Sequence, residues 1–107
     1  MTTFDKREEA FEKQFVMDEE LKFKAAARRN RLLGLWAAER LGLAGTEADS
    51  YARQVVVAEF DEGGDNAVVA KVNGDLAAKG VNPGEEEIRA RMDELMAKAV
   101  AQVKAGL

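Results

Sequence analysis

Histidine and cysteine are absent from this 107-residue chain, and proline occurs once. Without cysteine there is no disulfide framework, no thiolate metal site and no thiol nucleophile. Without histidine the commonest general base is missing, and so is the side chain that switches charge near neutral pH. Ser50 is the only serine, so the usual nucleophile and base pairs cannot be assembled, and the inventory argues against an enzyme. No apolar run approaches the ~20 residues that span a bilayer, and no signal-peptide pattern opens the chain. The expectation is a cytoplasmic protein with no direct membrane insertion. Positive charge is not in excess either: sixteen basic against twenty acidic side chains give −4, so no bulk field draws the whole chain to nucleic acid or anionic lipid.

What is present suits one soluble helical domain. Hydrophobic residues make up 47% and charged residues 34% of the chain, which is enough for a single modest, aliphatic core. Carboxylates cluster at residues 18–20, at Asp61 with Glu62, and at residues 85–87. Each cluster sits at the edge of an expected element, where acids serve as caps or dipole partners. None has the alternating oxygen ligands of a calcium loop. "DEGGDN" at 61–66 lacks the following Lys and Ser/Thr of a phosphate-binding loop and reads as a turn.

Periodicity predicts four helices and a compact antiparallel bundle, because three short connections leave each helix beside its predecessor. The first runs over residues 19–41 with Asp18 as N-cap and a stripe of Leu21, Ala25, Leu32, Leu35 and Trp36, with Trp36 in the core. Gly42 and Gly45 bracket its exit. Thr46 and Asp49 form a Thr-x-x-acid capping box for a second helix carrying Tyr51, Ala52, Val55, Val56 and Phe60. A third, over residues 65–79, buries Val68, Val69, Val72 and Leu76 and ends at Gly80 in a left-handed C-cap. In "NPGEEEI", Asn82 caps, Pro83 takes the first helical position and Glu85 the third, feeding Ile88, Met92, Leu95, Ala99 and Val103. "QVVVAEF" and "AVVAKV" around the turn could also read as a β-hairpin. The flanking start and stop signals favour helices.

Residues 1–17 stand apart from this bundle of residues 18–107. On a helical wheel Phe4, Phe11 and Phe15 fall within about 40° of one another, amid charge. A continuous helix would put the stripe that begins at Leu21 roughly a quarter turn away from them. Either the chain bends near residues 17–19 or the phenylalanines have a partner outside the domain. A stripe of three offers about 5 to 9 kcal/mol of burial, whereas ordering some fifteen residues costs more. The expectation is a segment mobile in the free protein that becomes helical on binding, the alternative being an amphipathic helix folded back on the bundle.

With these residues in view, the chain resembles the zeta subunit family, the ATPase inhibitor of alphaproteobacterial F-type ATP synthases. The resemblance spans essentially the whole chain. It is most specific in "MTTFDKREEAFEKQF" at 1–15 and "RRNRLLGLWAAERLGL" at 28–43, with looser support from "EIRARMDELM" at 87–96. It implies a four-helix bundle preceded by an inhibitory N-terminal segment, and an inhibitor of ATP hydrolysis, not an enzyme. It also implies partners in the catalytic head of the synthase, its alpha, beta and gamma subunits, and a location at the inner face of the plasma membrane through that complex. Carried onto this chain, Phe4, Phe11 and Phe15 become apolar anchors, with Asp5, Lys6, Arg7, Glu8, Glu9 and Glu12 against polar walls. The implied mechanism is like that of the mitochondrial ATPase inhibitor, which blocks hydrolytic rotation and spares synthesis.

"LKFKAAARRNR" supports a rival reading, a nucleic-acid-binding or adaptor module using the basic helix at 22–31. Residues 1–20 hold seven acids and three bases, a balance of −4, and residues 21–40 hold one acid and six bases, a balance of +5. Such neighbours can neutralise each other or meet the synthase. Arg28, Arg29 and Arg31 are therefore read as a secondary contact, and nucleic acid is not an expected partner. No metal and no cofactor are expected, and a weak adenine-nucleotide contact on the same patch is the one alternative left open.

Overall fold

The computed structural model describes residues 19–107, and the readings that fall on Asp18 and on the segment before it lie outside the described residues. Four helices follow in chain order: α1 Glu19–Arg40, α2 Gly45–Ala58, α3 Asp65–Ala78 and α4 Glu85–Lys104. Among the described residues there is no strand. Both β-branched runs are helical: Val68, Val69 and Val72 in α3 and Val55 in α2 are at most 1% exposed, while Val56, expected in the buried stripe, is half-buried and Val57 is exposed. In that setting burial outweighs the small helix penalty of β-branching.

α1 is the spine. At 22 residues it extends about 33 Å and packs most extensively against α2 and α4, with smaller contacts to α3. α2 and α3 have 14 residues each and share one narrower interface, as do α3 and α4. The fourth helix thus returns to the first, a pairing that neighbour-to-neighbour reasoning did not anticipate. Leu33, Ala37, Ala38, Val55, Val68, Val72, Leu76, Ile88 and Met92 belong to one continuous core.

The buried face of α1 is Ala25, Arg29, Asn30, Leu33, Gly34, Ala37 and Ala38, and this corrects the expected stripe. Leu21, Leu32, Leu35 and Trp36 are only half-buried. The reason lies in the closeness of α2. A Cβ added at Gly34 would lie 2.6 Å from the Ala52 Cα and 3.1 Å from its Cβ, so the two helices meet through their smallest side chains. Large residues are displaced to the flanks of that contact. Trp36 packs against the core from the side, with the Arg40 guanidinium 4.1 Å and the Arg91 guanidinium 5.6 Å from its ring centre, distances at which a cation is attracted to an aromatic face.

The Gly80 stop and the starts at Glu19 and Asp65 are as expected, whereas α2 stops at Ala58, short of Phe60, and the caps of α2 and α4 differ. Gly80 has φ +79. Val81 N–H donates to the Leu76 carbonyl at 2.9 Å and Gly80 N–H to that of Ala77 at 2.9 Å, the paired bonds of a left-handed helix cap that glycine adopts without a Cβ penalty. The N-caps proposed for α2 and α4 fail. α2 begins at Gly45 with Ala44 in the cap position and no side-chain cap bond, so Thr46 lies within the first turn and Asp49 just beyond it. α4 begins at Glu85 after Gly84, with φ 85 and ψ 156, which puts Asn82 and Pro83 in the connection. In both cases a positive-φ glycine turns the chain into the helix, a geometry that the capping-box spacing does not encode. Glu85, Glu86 and Glu87 remain in the first turn of α4, where they favour the helix dipole as expected. Phe60 lies beyond the end of α2 and is 68% exposed, not core.

Candidate functional site

None of Phe4, Asp5, Lys6, Arg7, Glu8, Glu9, Phe11, Glu12 and Phe15 lies within the described residues, so the expected partner-binding stripe is fixed by sequence alone. The secondary contact does fall on described residues, and the fold splits it. Arg31 is exposed and Arg28 half-buried, with the Arg28 Nη1 3.4 Å from Gln102 Oε1 on α4. Arg29 points inward and is only 5% exposed.

Arg29 follows Ala25 and precedes Leu33 at intervals of four, so helical geometry carries it onto the core-facing row. There its Nη2 donates to Glu59 Oε1 at 2.7 Å and to Asp65 Oδ1 at 2.8 Å. Its Nε donates to Asn30 Oδ1 at 3.1 Å, and Asn30, fully buried, donates in turn toward Glu59 Oε1 at 3.3 Å. The cluster fastens the middle of α1 to both ends of the turn between α2 and α3. A buried guanidinium requires such compensation, since an unpaired charge in the interior is strongly penalised.

The two acids share Arg29 unequally. Asp65 is approached by both Nη atoms of Arg29, and those hydrogen bonds hold its carboxyl below the usual aspartate range. Glu59 receives Arg29 on one oxygen, while its Oε2 is buried without a partner. Burial, then the facing Asp65, pushes Glu59 above the usual glutamate range despite the nearby guanidinium. Sequence reading counted Arg29 as surface charge. The signal that could have corrected this was its place in the Ala25, Leu33, Ala37 row, with two acids available at the far turn.

Removing Arg29 from the basic stretch thins it to Lys22, Lys24, Arg28 and Arg31, and Lys24 is engaged by Glu20 at 3.1 Å. A second feature stands beside this patch. Phe23 and Phe60 are 59% and 68% exposed, with ring centres 6.0 Å apart. They adjoin a groove of about 480 Å³ whose lining includes Phe23, Arg28, Val56, Val103 and Leu107. Among the described residues no three His, Cys, Asp or Glu side chains converge as a metal site, and no helix is long and apolar enough to cross a membrane.

None of the curated proteins matches the chain. One solved structure, determined by solution NMR, is 50% identical to it, covering 81% of this chain and 99% of the other, with a TM-score of 0.71. Its four-helix likeness is that of a relative, not of a chance fold neighbour. The family described as ATPase inhibitor subunit zeta matches residues 1–102, a span that includes both the phenylalanine stripe and the bundle. The chain belongs to the ATPase inhibitor subunit zeta family.

Proposed function

We propose that this protein inhibits ATP hydrolysis by inserting residues 1–17, as a helix, at a catalytic interface of the synthase head beside the rotating central shaft. The observation that carries this reading is that the family match begins at residue 1 and so takes in Phe4, Phe11 and Phe15, the one apolar stripe that precedes the helices of the bundle. The phenylalanines are the anchors, entering an apolar crevice as an amphipathic helix enters a groove. Glu8, Glu9 and Glu12, with Lys6 and Arg7, meet the polar walls. Contacts to the alpha, beta and gamma subunits follow from that position. So does a location on the face of the membrane where the head projects. The chain itself performs no chemistry. It acts as a wedge that resists hydrolytic rotation and is pushed out by rotation in the direction of synthesis.

The test measures ATP hydrolysis by a matching synthase with the full chain, with residues 18–107 alone, and with Phe11→Ala plus Phe15→Ala. The full chain inhibits, the truncated chain stays helical by circular dichroism and does not inhibit, and the double substitution weakens inhibition. Two enclosed phenylalanines at ~3 kcal/mol each amount to about four orders of magnitude in affinity, and partial enclosure to less. Full inhibition by residues 18–107 would refute insertion of the N-terminal segment.

A further inference from the structure

The groove beside Phe23 has no partner among the described elements, yet it carries what the phenylalanine stripe would need. Phe23, Ala27 and Arg31 recur at intervals of four along one flank of α1 and face Val56 of α2 and Val103, Gly106 and Leu107 at the end of α4. Phe23, Phe60 and Leu107 are 59%, 68% and 73% exposed, so three large apolar side chains stand in water close together. Lys24, Arg28 and Arg31 line the same groove and fall on one side of it, 40° to 100° around α1 from the Phe23 to Ala27 line by the ~100° helical step.

We propose that this groove is a docking site for the chain's own residues 4–15, which while docked are withheld from the synthase. The proposal rests on the reading of that segment as the inhibitory element. Three observations select this occupant. The segment joins α1 at Glu19, four residues before Phe23, and a reversal over residues 16–18 lays it back along α1, as helical hairpins of two to five connecting residues do. Phe4 to Phe15 spans about 16 Å as a helix and Phe23 to Arg31 about 12 Å, so the lengths correspond. Charge also matches: on the wheel Asp5, Glu8 and Glu12 lie together on one flank of the phenylalanine stripe, while Lys6 and Lys13 lie on the opposite face. A docked stripe therefore sets three carboxylates beside Lys24, Arg28 and Arg31 and keeps its own lysines in water.

Docking also changes the balance that made the isolated segment too costly to order. The groove contributes Phe23 and Leu107 to the buried surface, with Phe60 beside Phe23, so roughly twice the apolar area is removed from water for the same chain-ordering cost. Docked and released states then lie close in free energy, as a switch requires. The apparent affinity for the synthase is divided by the fraction of chains whose segment is free.

The absence of cysteine makes the test direct. A nitroxide on Ala10→Cys, midway along the docked segment and off its phenylalanine stripe, is read in the full chain through the amide signals of the bundle. Docking broadens Phe23, Ala27, Val103 and Leu107 selectively, and the effect disappears with Phe11→Ser plus Phe15→Ser, or with Phe23→Asp, which places a carboxylate in the groove. In hydrolysis assays Phe23→Asp lowers the half-inhibiting concentration several-fold, by the ratio of docked to free segment. Uniform weak broadening, broadening centred on Met96 and Val100 across α1, or transfer of the effect to unlabelled chains in a mixture would each overturn the proposal, the last by making a second copy the occupant. Weaker inhibition by Phe23→Asp would overturn the withholding role. The spectra involve no synthase, so selective broadening in a chain that fails to inhibit would sink the inhibitor mechanism and leave the docking intact.

Discussion

Replacing glycine by alanine should have opposite effects at two helical positions of this protein. In an exposed helix the change is worth up to ~1 kcal/mol in favour of alanine, because glycine loses more backbone freedom on folding. At Gly74, exposed in α3, an added Cβ meets nothing within 4 Å, so Gly74→Ala gains most of that. At Gly34 the same methyl lies 2.6 Å from the Ala52 Cα and 3.3 Å from the Val55 Cβ. The nearest atom is backbone and cannot rotate away, so α1 and α2 must part by close to 1 Å to restore ordinary contact. A gap of that order forfeits a quarter to a half of the dispersion energy along the interface. Overpacking of a close-packed core costs about 1 to 3 kcal/mol, and with the propensity gain set against it Gly34→Ala is destabilising by up to about 2 kcal/mol. At 4 to 8 °C per kcal/mol for a domain near this size, Gly34→Ala melts lower than the parent by up to about 15 °C and Gly74→Ala a few degrees higher. Thermal melts of the two variants followed by far-UV circular dichroism decide it. An increase in melting temperature for Gly34→Ala would show that α1 and α2 are not held at this distance.

The buried ion cluster gives two further expectations. Arg29→Met keeps the aliphatic stem but leaves Glu59 with an unpartnered charge; the cost in urea unfolding at neutral pH is about 3 kcal/mol, the low end for breaking a buried pair, since the Asp65 side chain stays 58% exposed and can hydrate. The pH dependence has two opposing arms. Asp65, lowered from its ordinary 3.8, contributes stability that is present above that value and lost as pH falls through its lowered folded value. Glu59, raised from its ordinary 4.5, binds its proton more readily in the folded state, so its effect is loss of stability as pH rises from 4.5 through its raised folded value. Glu59→Gln removes the second arm and leaves the first. Urea midpoints across mildly acidic to neutral pH should therefore decline for the parent and stay flatter for Glu59→Gln, and parallel curves would refute the assignment of that arm to Glu59.

The helices were legible because their signals are local. In α3 the run of Val68, Val69, Val72 and Leu76, closed by Gly80, carries period and stop signal within fifteen residues, and all four side chains are buried. Features that depend on a distant element were not legible. Gly34 is ordinary within α1 and acquires meaning only because Ala52, eighteen residues on, comes against it. Arg29 reads as surface charge until Glu59 and Asp65 arrive from the far turn. Thr46 and Asn82 failed as caps because a positive-φ glycine, at Gly45 and at Gly84, brings the chain in by a path that the capping residue's identity does not specify. Of the three arginines of the basic patch, Arg31 is exposed, Arg28 half-buried and Arg29 buried. The groove escaped notice because Phe23, Phe60 and Leu107 lie in three separate parts of the sequence.

Under the proposed function, in which the amino-terminal segment is held by the synthase head, the lengthwise seating of α1 between α2 and α4 has a mechanical meaning. A pull on that segment enters the bundle at Glu19, the first residue of α1. Extraction along the axis is shear: the contacts of Ala25, Arg29, Leu33, Gly34, Ala37 and Ala38 are stressed together, and none can yield far ahead of the others. A pull across the axis would instead unzip the same contacts one turn at a time, at far lower force. The Arg29 cluster, ten residues in from Glu19, is the first strong fastening that an axial load meets, and it hands that load to the turn between α2 and α3. Only the first turns of α1, where Lys22, Phe23 and Lys24 are exposed, can stretch before it engages. In that role the bundle is an anchor whose resistance depends on direction, stiff along the axis of α1 and weak across it.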